Sequence, residues 1–265
     1  MTAATTTAGG GIDIGRVMTR TFNSVGENFA NLLIITLVLV AIPSAAVGWV
    51  QQTFLASQGM MVSGAGSMIT AGLANIVLSL VQLALNAAAQ GAIFYFVVSY
   101  LGGRKAVLGD AISVGVAHWW PLWLVGVCTT FMTILAAIAL FFPGIMLACR
   151  WIVALPVQVI ENKGVFESMG RSAELTKGRR WSIFGLLLIV VILIWILEFA
   201  LIAVFIRPAA GLVSGMSSPL FRVLFAPIIG LITTPLFSAG YASLYYELRS
   251  TREGVGVEAL ASVFD

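Results

Sequence analysis

The chain has 265 residues, of which 60% are apolar and only 9% charged, with a formal net charge of +3. A soluble domain carries about 25% charged residues, so water is excluded as the main solvent, and nothing in the charge suggests a nucleic-acid patch. Two cysteines and one histidine leave no disulfide framework and no zinc spacing.

Residues 1–11, MTAATTTAGGG, hold neither the basic start nor the apolar core of a signal peptide. They are expected to form a disordered tail, and the first apolar stretch to be retained. A bilayer core about 30 Å thick needs about 20 helical residues, because lipid cannot satisfy free backbone polar groups. Six stretches meet or approach that length, at about 29–50, 71–99, 121–142, 145–160, 181–206 and 221–246. The expected fold is all-α and integral to the membrane: six transmembrane helices in one domain over 12–250, then a tail over 251–265.

Eleven basic residues fall in connections on one side: Arg16, Arg20, Arg104, Lys105, Lys163, Arg171, Lys177, Arg179, Arg180, Arg249 and Arg252. Only Arg207 and Arg222 fall on the other. Because cytoplasmic loops hold the excess of Lys and Arg, both termini are expected in the cytoplasm. Trp119, Trp120, Trp123, Trp181, Tyr245 and Tyr246 would then form the inner aromatic belt, with Trp49 at the outer interface.

The segments before the odd-numbered spans, at 12–28, 107–119 and 164–178, repeat apolar residues at helical period. Their faces are Ile14, Met18, Phe22 and Val25; Leu108, Ile112, Val116 and Trp119; and Val165, Met169, Ala173 and Thr176. Each is expected to lie flat on the inner leaflet. The chain parses as three units of interfacial helix plus hairpin, and two explanations stand: a true structural repeat, or the common habit of placing a basic amphipathic helix before a span.

The second span carries Asn75, Ser79, Gln82, Asn86 and Gln90 on one helix face. Such a stripe must point at other helices or at a hydrated cavity. Ala84, Ala87, Ala88 and Gly91 beside it permit close helix approach. Arg150 lies inside the fourth span and Glu198 inside the fifth, each roughly 10–12 Å below the outer surface by residue count. Each charge alone would be uncompensated, so a pair is expected. Snorkelling of Arg150 to headgroups and an anion site are the alternatives. Pro43, Pro156, Pro227 and Pro235 fall inside spans, where each removes a backbone hydrogen bond and kinks the helix.

Enzyme signatures are missing. The glycine triplet near the start follows no strand, no nucleophile stands beside a base, and His118 has no ligand cluster. Glu161, Glu167 and Glu174 read as a solvated face. No catalytic residue, metal ligand or cofactor is assigned.

The stretch from Val159 to Val190 resembles a pattern of the bacterial membrane-domain family named after glycerophosphoryl diester phosphodiesterases. Matching residues are Pro156, Glu161, Gly164, Val165, Arg171, Ser172, Leu175, Thr176, Gly178 and Trp181. Pro143-Gly144 followed by Arg150-Trp151, and the closing run from Leu244 to Gly254, agree with the same family; Glu247 stands where Asp is usual. The hydrolytic members carry their chemistry on a separate barrel domain, so the resemblance implies a lipid-adjacent module in a bacterial inner membrane and no hydrolase activity. The leading expectation is a non-enzymatic binding or scaffold module for phospholipid or a glycerophosphodiester, with Arg150 or the Arg171, Lys177, Arg179 and Arg180 cluster taking phosphate. The alternatives are a transporter or flippase with a path along the second, fourth and fifth spans, and an assembly partner of another membrane protein. Membrane phospholipids are the expected partners, and nucleic acid is not one.

Overall fold

A computed structural model describes residues 12–61, 65–205, 223 and 226–253 of the chain. Every regular element among them is helical. Five stretches, Phe29–Thr53, Gly72–Leu101, Trp119–Ala139, Phe142–Glu161 and Pro227–Glu253, are long and apolar enough to cross a bilayer. A sixth helix, Arg180–Phe205, follows Val165–Leu175 across a bend of 101°. The protein is an all-α integral membrane protein with five to six crossings. Residues 1–11, the connection holding Arg207 and Arg222, and most of the 251–265 tail lie outside the described residues.

Proline chemistry explains the irregular spans. The first runs as α2 (Phe29–Thr36), a π-helical turn at Leu37–Ala41, and α3 (Ile42–Met61). Pro43 has no N–H and its ring would collide with the carbonyl four residues back, so the backbone widens there. Ser44 then donates its hydroxyl to the carbonyls of Val40 at 2.6 Å and Ala41 at 3.1 Å. In the fourth span Pro156 would meet the carbonyl of Ile152, and the helix breaks into α7 (Phe141–Trp151) and α8 (Ala154–Glu161). Pro156 thereby falls in the first turn of α8, where a missing N–H costs nothing.

The longest helix, α4 (Ala65–Leu101), has 37 residues and is about 55 Å long. It serves as the central mast for α5 (Leu108–Ala117), α6 (Trp119–Ala139), α8 and α11 (Ala226–Glu253). Its second half, from Ala88 to Ser99, is almost wholly buried, while Leu73, Ile76, Val77 and Leu80 in its first half are exposed. The bundle is therefore dense at one end and splayed at the other. The dense end carries Arg16, Arg20, Arg171, Arg179 and Arg249, and is called the basic end below. On the far half, Ile138 is 77% and Trp195 71% exposed, as side chains facing hydrocarbon should be.

The three short helices α1 (Ile14–Glu27), α5 and α9 (Val165–Leu175) sit where helical periodicity places them. In α1 and α5 the expected faces pack against the core only in part, and the fully buried line is shifted from them. In α1 the buried line is Val17, Thr21 and Ser24, while Phe22 is 54% exposed; in α5 it is Ala111 and Gly115, while Val116 is exposed. Small residues let these helices approach the spans closely, and Ile14, Met18, Val25, Leu108 and Ile112 of the expected faces pack against the core beside them, leaving Phe22, Val116 and Trp119 exposed. A Cβ on Gly115 would overlap the Ala88 carbonyl and stand 2.7 Å from the Ala92 nitrogen. In α9 the inner face holds Ser168, Met169, Ser172 and Ala173, followed by Thr176. Gly178, at φ +82°, supplies the left-handed residue that turns the chain into α10 (Arg180–Phe205).

Two expectations about the interface need correcting. Tyr245 and Tyr246 are buried; they pack inside the basic end because both lie on the α11 face turned toward α1 and α8, and only Trp119, Trp120 and Trp181 of the proposed inner belt are exposed. Glu161, read as solvated, is 9% exposed and ion-paired. Glu167 and Glu174 are exposed.

Candidate functional site

The basic end is held by charged residues that converge from distant parts of the chain. Glu247 on α11 is 1% exposed and receives Arg20 Nη1 at 2.5 Å and Arg16 Nη1 at 3.3 Å from α1. The Arg20 guanidinium also lies 5.0 Å from the Tyr246 ring centroid, within range of a cation–π contact. Glu161, at the end of α8, accepts from Arg171 Nε at 3.1 Å and from the Tyr245 hydroxyl at 3.1 Å, and pairs with Lys163 at 3.2 Å. Arg171 also reaches Glu253, which Arg249 binds at 3.1 Å. Burial works against the Arg171 charge, but Glu253 and Glu161 outweigh it and raise its pKa above the ordinary value. Tyr100 donates to Glu27, and Arg179 to the Thr251 hydroxyl. Helices α1, α4, α8, α9 and α11 are thus tied together at one end.

This network occupies much of the cationic cluster that the sequence offers for phosphate. Arg171 and Arg179 spend their guanidiniums on Glu161, Glu253 and Thr251 within the protein; at Lys177 the backbone carbonyl accepts from Arg252 at 3.1 Å. Arg180 opens α10 with its Nε buried and without a hydrogen-bond partner. His118, at the α5 terminus, places Nδ1 2.9 Å from the Val114 carbonyl and Nε2 3.3 Å from Asn162 Oδ1.

Arg150 marks the break in the fourth span. With the helix interrupted at Ile152–Val153, its carbonyl turns to α9, accepting from Ser172 Oγ at 2.9 Å and Thr176 Oγ1 at 3.2 Å. Helix α9 therefore seals the break, where the sequence suggested only a helix on the leaflet. The Arg150 residue itself is exposed. The Glu198 side chain lies outside the described residues, and with it the expected pair.

The α4 stripe opens into two cavities on the splayed half. One, of about 550 Å³, lies between the first span, α4 and α11, and is lined by Ser44, Gln51, Ser79, Gln82, Asn86 and Thr234 with apolar neighbours. The other, of about 470 Å³, lies between α4 and α6, with Asn86, Gln90 and Thr130 as its polar residues. Asn86 stands between the two. Asn75 and Ser79 continue the stripe toward the far end, Asn75 being half-buried and Ser79 exposed. Ser44, Gln51, Thr130 and Thr234 were not singled out from the sequence. Ser44 and Gln51 lie two helical turns apart on the first span, which is the signal that could have found them. A third cavity of about 240 Å³, between α1, α10 and α11, is walled almost entirely by apolar side chains such as Met18, Leu187, Ile194 and Leu236.

Among the described residues no group of three or more His, Cys, Asp or Glu could hold a metal ion. No curated protein and no solved structure matches the chain. A family model described as the membrane domain of glycerophosphoryl diester phosphodiesterase does match, over residues 121–253. That stretch begins two residues into α6 and ends at Glu253, so it contains Arg150, Glu161, Arg171, Ser172, Thr176, Tyr245, Glu247 and Glu253 and with them most of the network just described. Half of the chain lies within the match, and by it the chain belongs to the family of glycerophosphoryl diester phosphodiesterase membrane domains.

Proposed function

We propose that the protein is a non-enzymatic lipid-binding or scaffold module of a bacterial inner membrane, with its basic end and both termini in the cytoplasm. One observation carries the reading: the α4 stripe of Ser79, Gln82, Asn86 and Gln90 borders two cavities on the splayed half, and the helix beyond it, over residues 91–99, is almost wholly buried. A cleft with apolar walls, polar points and a closed floor suits an amphiphile that enters sideways from the bilayer. The ion-paired basic end supports a rigid base, and the excess of Lys and Arg there supports the orientation.

Native mass spectrometry after gentle extraction tests this. A bound phospholipid or glycerophosphodiester should remain on the wild-type chain and be depleted in Asn86→Leu. Absence of any retained lipid overturns the reading.

The rival is a transporter or flippase. Its favouring observation is that proline-modified helices border the larger cavity, through Pro43 beside the π-helical turn and through Pro227 and Pro235 on α11. Such helices often surround transport sites. Passage would require the buried half of α4 to open.

A further inference from the structure

The larger cleft carries a chemical signature beyond its shape. None of its described lining residues is charged, so a phosphate entering it would lose hydration without gaining a cation. Its polar groups are amides and hydroxyls, and some of their donors are already in use. Ser44 gives its hydroxyl proton to the Val40 and Ala41 carbonyls. Asn86 Nδ2 donates to the Gln82 carbonyl at 2.9 Å. Ser44 is left with its lone pairs, and Asn86 with its carbonyl oxygen and one N–H. In the same lining, Gln82 Oε1 is buried with no hydrogen-bond partner. An orphan acceptor in a low-dielectric cleft is costly, and a ligand O–H would satisfy it. The α4–α6 cleft repeats the pattern, with Asn86, Gln90 and Thr130 and no charged lining residue.

We infer that these clefts hold the uncharged, hydroxyl-bearing part of a lipid headgroup, with phosphate and other charged groups left outside. This rests on the binding reading above and narrows it to polyol headgroups. That chemistry is shared by phosphatidylglycerol, which has hydroxyls beyond a phosphate, and by a glucosyl-diacylglycerol, which has hydroxyls and no phosphate. Phosphatidylcholine has a phosphate and no headgroup donor, so it lies outside the class.

The test uses the full chain, delipidated and reconstituted into vesicles holding equal parts of those three lipids, then gently extracted and weighed by native mass spectrometry. Both hydroxyl lipids should be retained at least ~10-fold over phosphatidylcholine, the discrimination expected of a site built to pair hydroxyls. Gln82→Leu should bring them down to the phosphatidylcholine level. Equal retention of phosphatidylcholine overturns this inference and leaves the binding reading standing. Phosphatidylglycerol retained alone also overturns it, by placing recognition on the net negative charge that this lipid alone carries among the three. Retention of none of the three overturns both. Retention unchanged by Gln82→Leu removes the cleft as the site, and if that variant does not fold, the three-lipid comparison on the wild-type chain still decides.

Discussion

Arg20 on α1 and Glu247 on α11 are 227 positions apart and meet at 2.5 Å, with the carboxylate almost completely withdrawn from solvent. Arg16 approaches the same carboxylate, so one acidic group holds α1 against α11. Replacing Glu247 by Ala would leave both guanidiniums without it. Arg16 is half-exposed and regains water, which limits the loss. We expect destabilisation of about 1–3 kcal/mol, read as a lower melting temperature in detergent and as faster proteolysis within α1.

The close approach of α5 to α4 gives a second prediction. At Gly115 an added Cβ meets backbone of α4, whereas at Gly126 nothing lies within 4 Å. Gly115→Ala should therefore cost about 1–3 kcal/mol through overpacking. Gly126→Ala should be neutral or stabilise by about 0.5–1 kcal/mol, as expected for Gly to Ala in a helix. Melting of the two variants side by side separates packing from propensity.

Sealing of the broken fourth span can be tested through its two hydroxyls. Ser172→Ala and Thr176→Ala each remove a donor to the Arg150 carbonyl, and about 1 kcal/mol apiece is expected. The double variant should cost more than the sum, because only then is the carbonyl left without either hydroxyl partner. Thermal melts of the two single variants and the double variant, completing a mutant cycle, read that coupling.

Binding and passage differ in access. In a background lacking Cys128 and Cys149, Gln82→Cys and Asn86→Cys should react with a water-soluble thiol reagent from the far side only. Ala92→Cys, at a position with no exposed surface, should not react from either side. Labelling of Gln82→Cys from both sides would favour the transporter reading.

Much of this architecture was legible in the sequence, for identifiable reasons. Crossings announce themselves because lipid demands long apolar runs, and the helices before α6 and α10 follow from periodicity alone. The buried face of α9 was legible, whereas those of α1 and α5 were so only in part. Hydrophobicity singles out Phe22, yet the fully buried line of α1 is Val17, Thr21 and Ser24, because a helix that approaches a span closely does so through its smaller side chains. Glu161 looked like one acid among three on a wet face; only the arrival of Arg171 and Tyr245 from other helices distinguishes it. The stripe from Asn75 to Gln90 was visible on one helix, but the cavity needed Ser44 and Thr234 from two others. Pairwise convergence of that kind has no signature along a single segment.

The fastening at the basic end bears on how relatives of this protein can diverge. Within the matched stretch, Glu161, Arg171, Ser172, Thr176 and Glu247 hold helices together, and that stretch starts only at residue 121. Ser44, Gln51, Ser79, Gln82 and Asn86 all precede it. Two chains could therefore share the whole pattern and yet differ freely in what they take up, in the way that two doors with the same hinges need not share a keyhole.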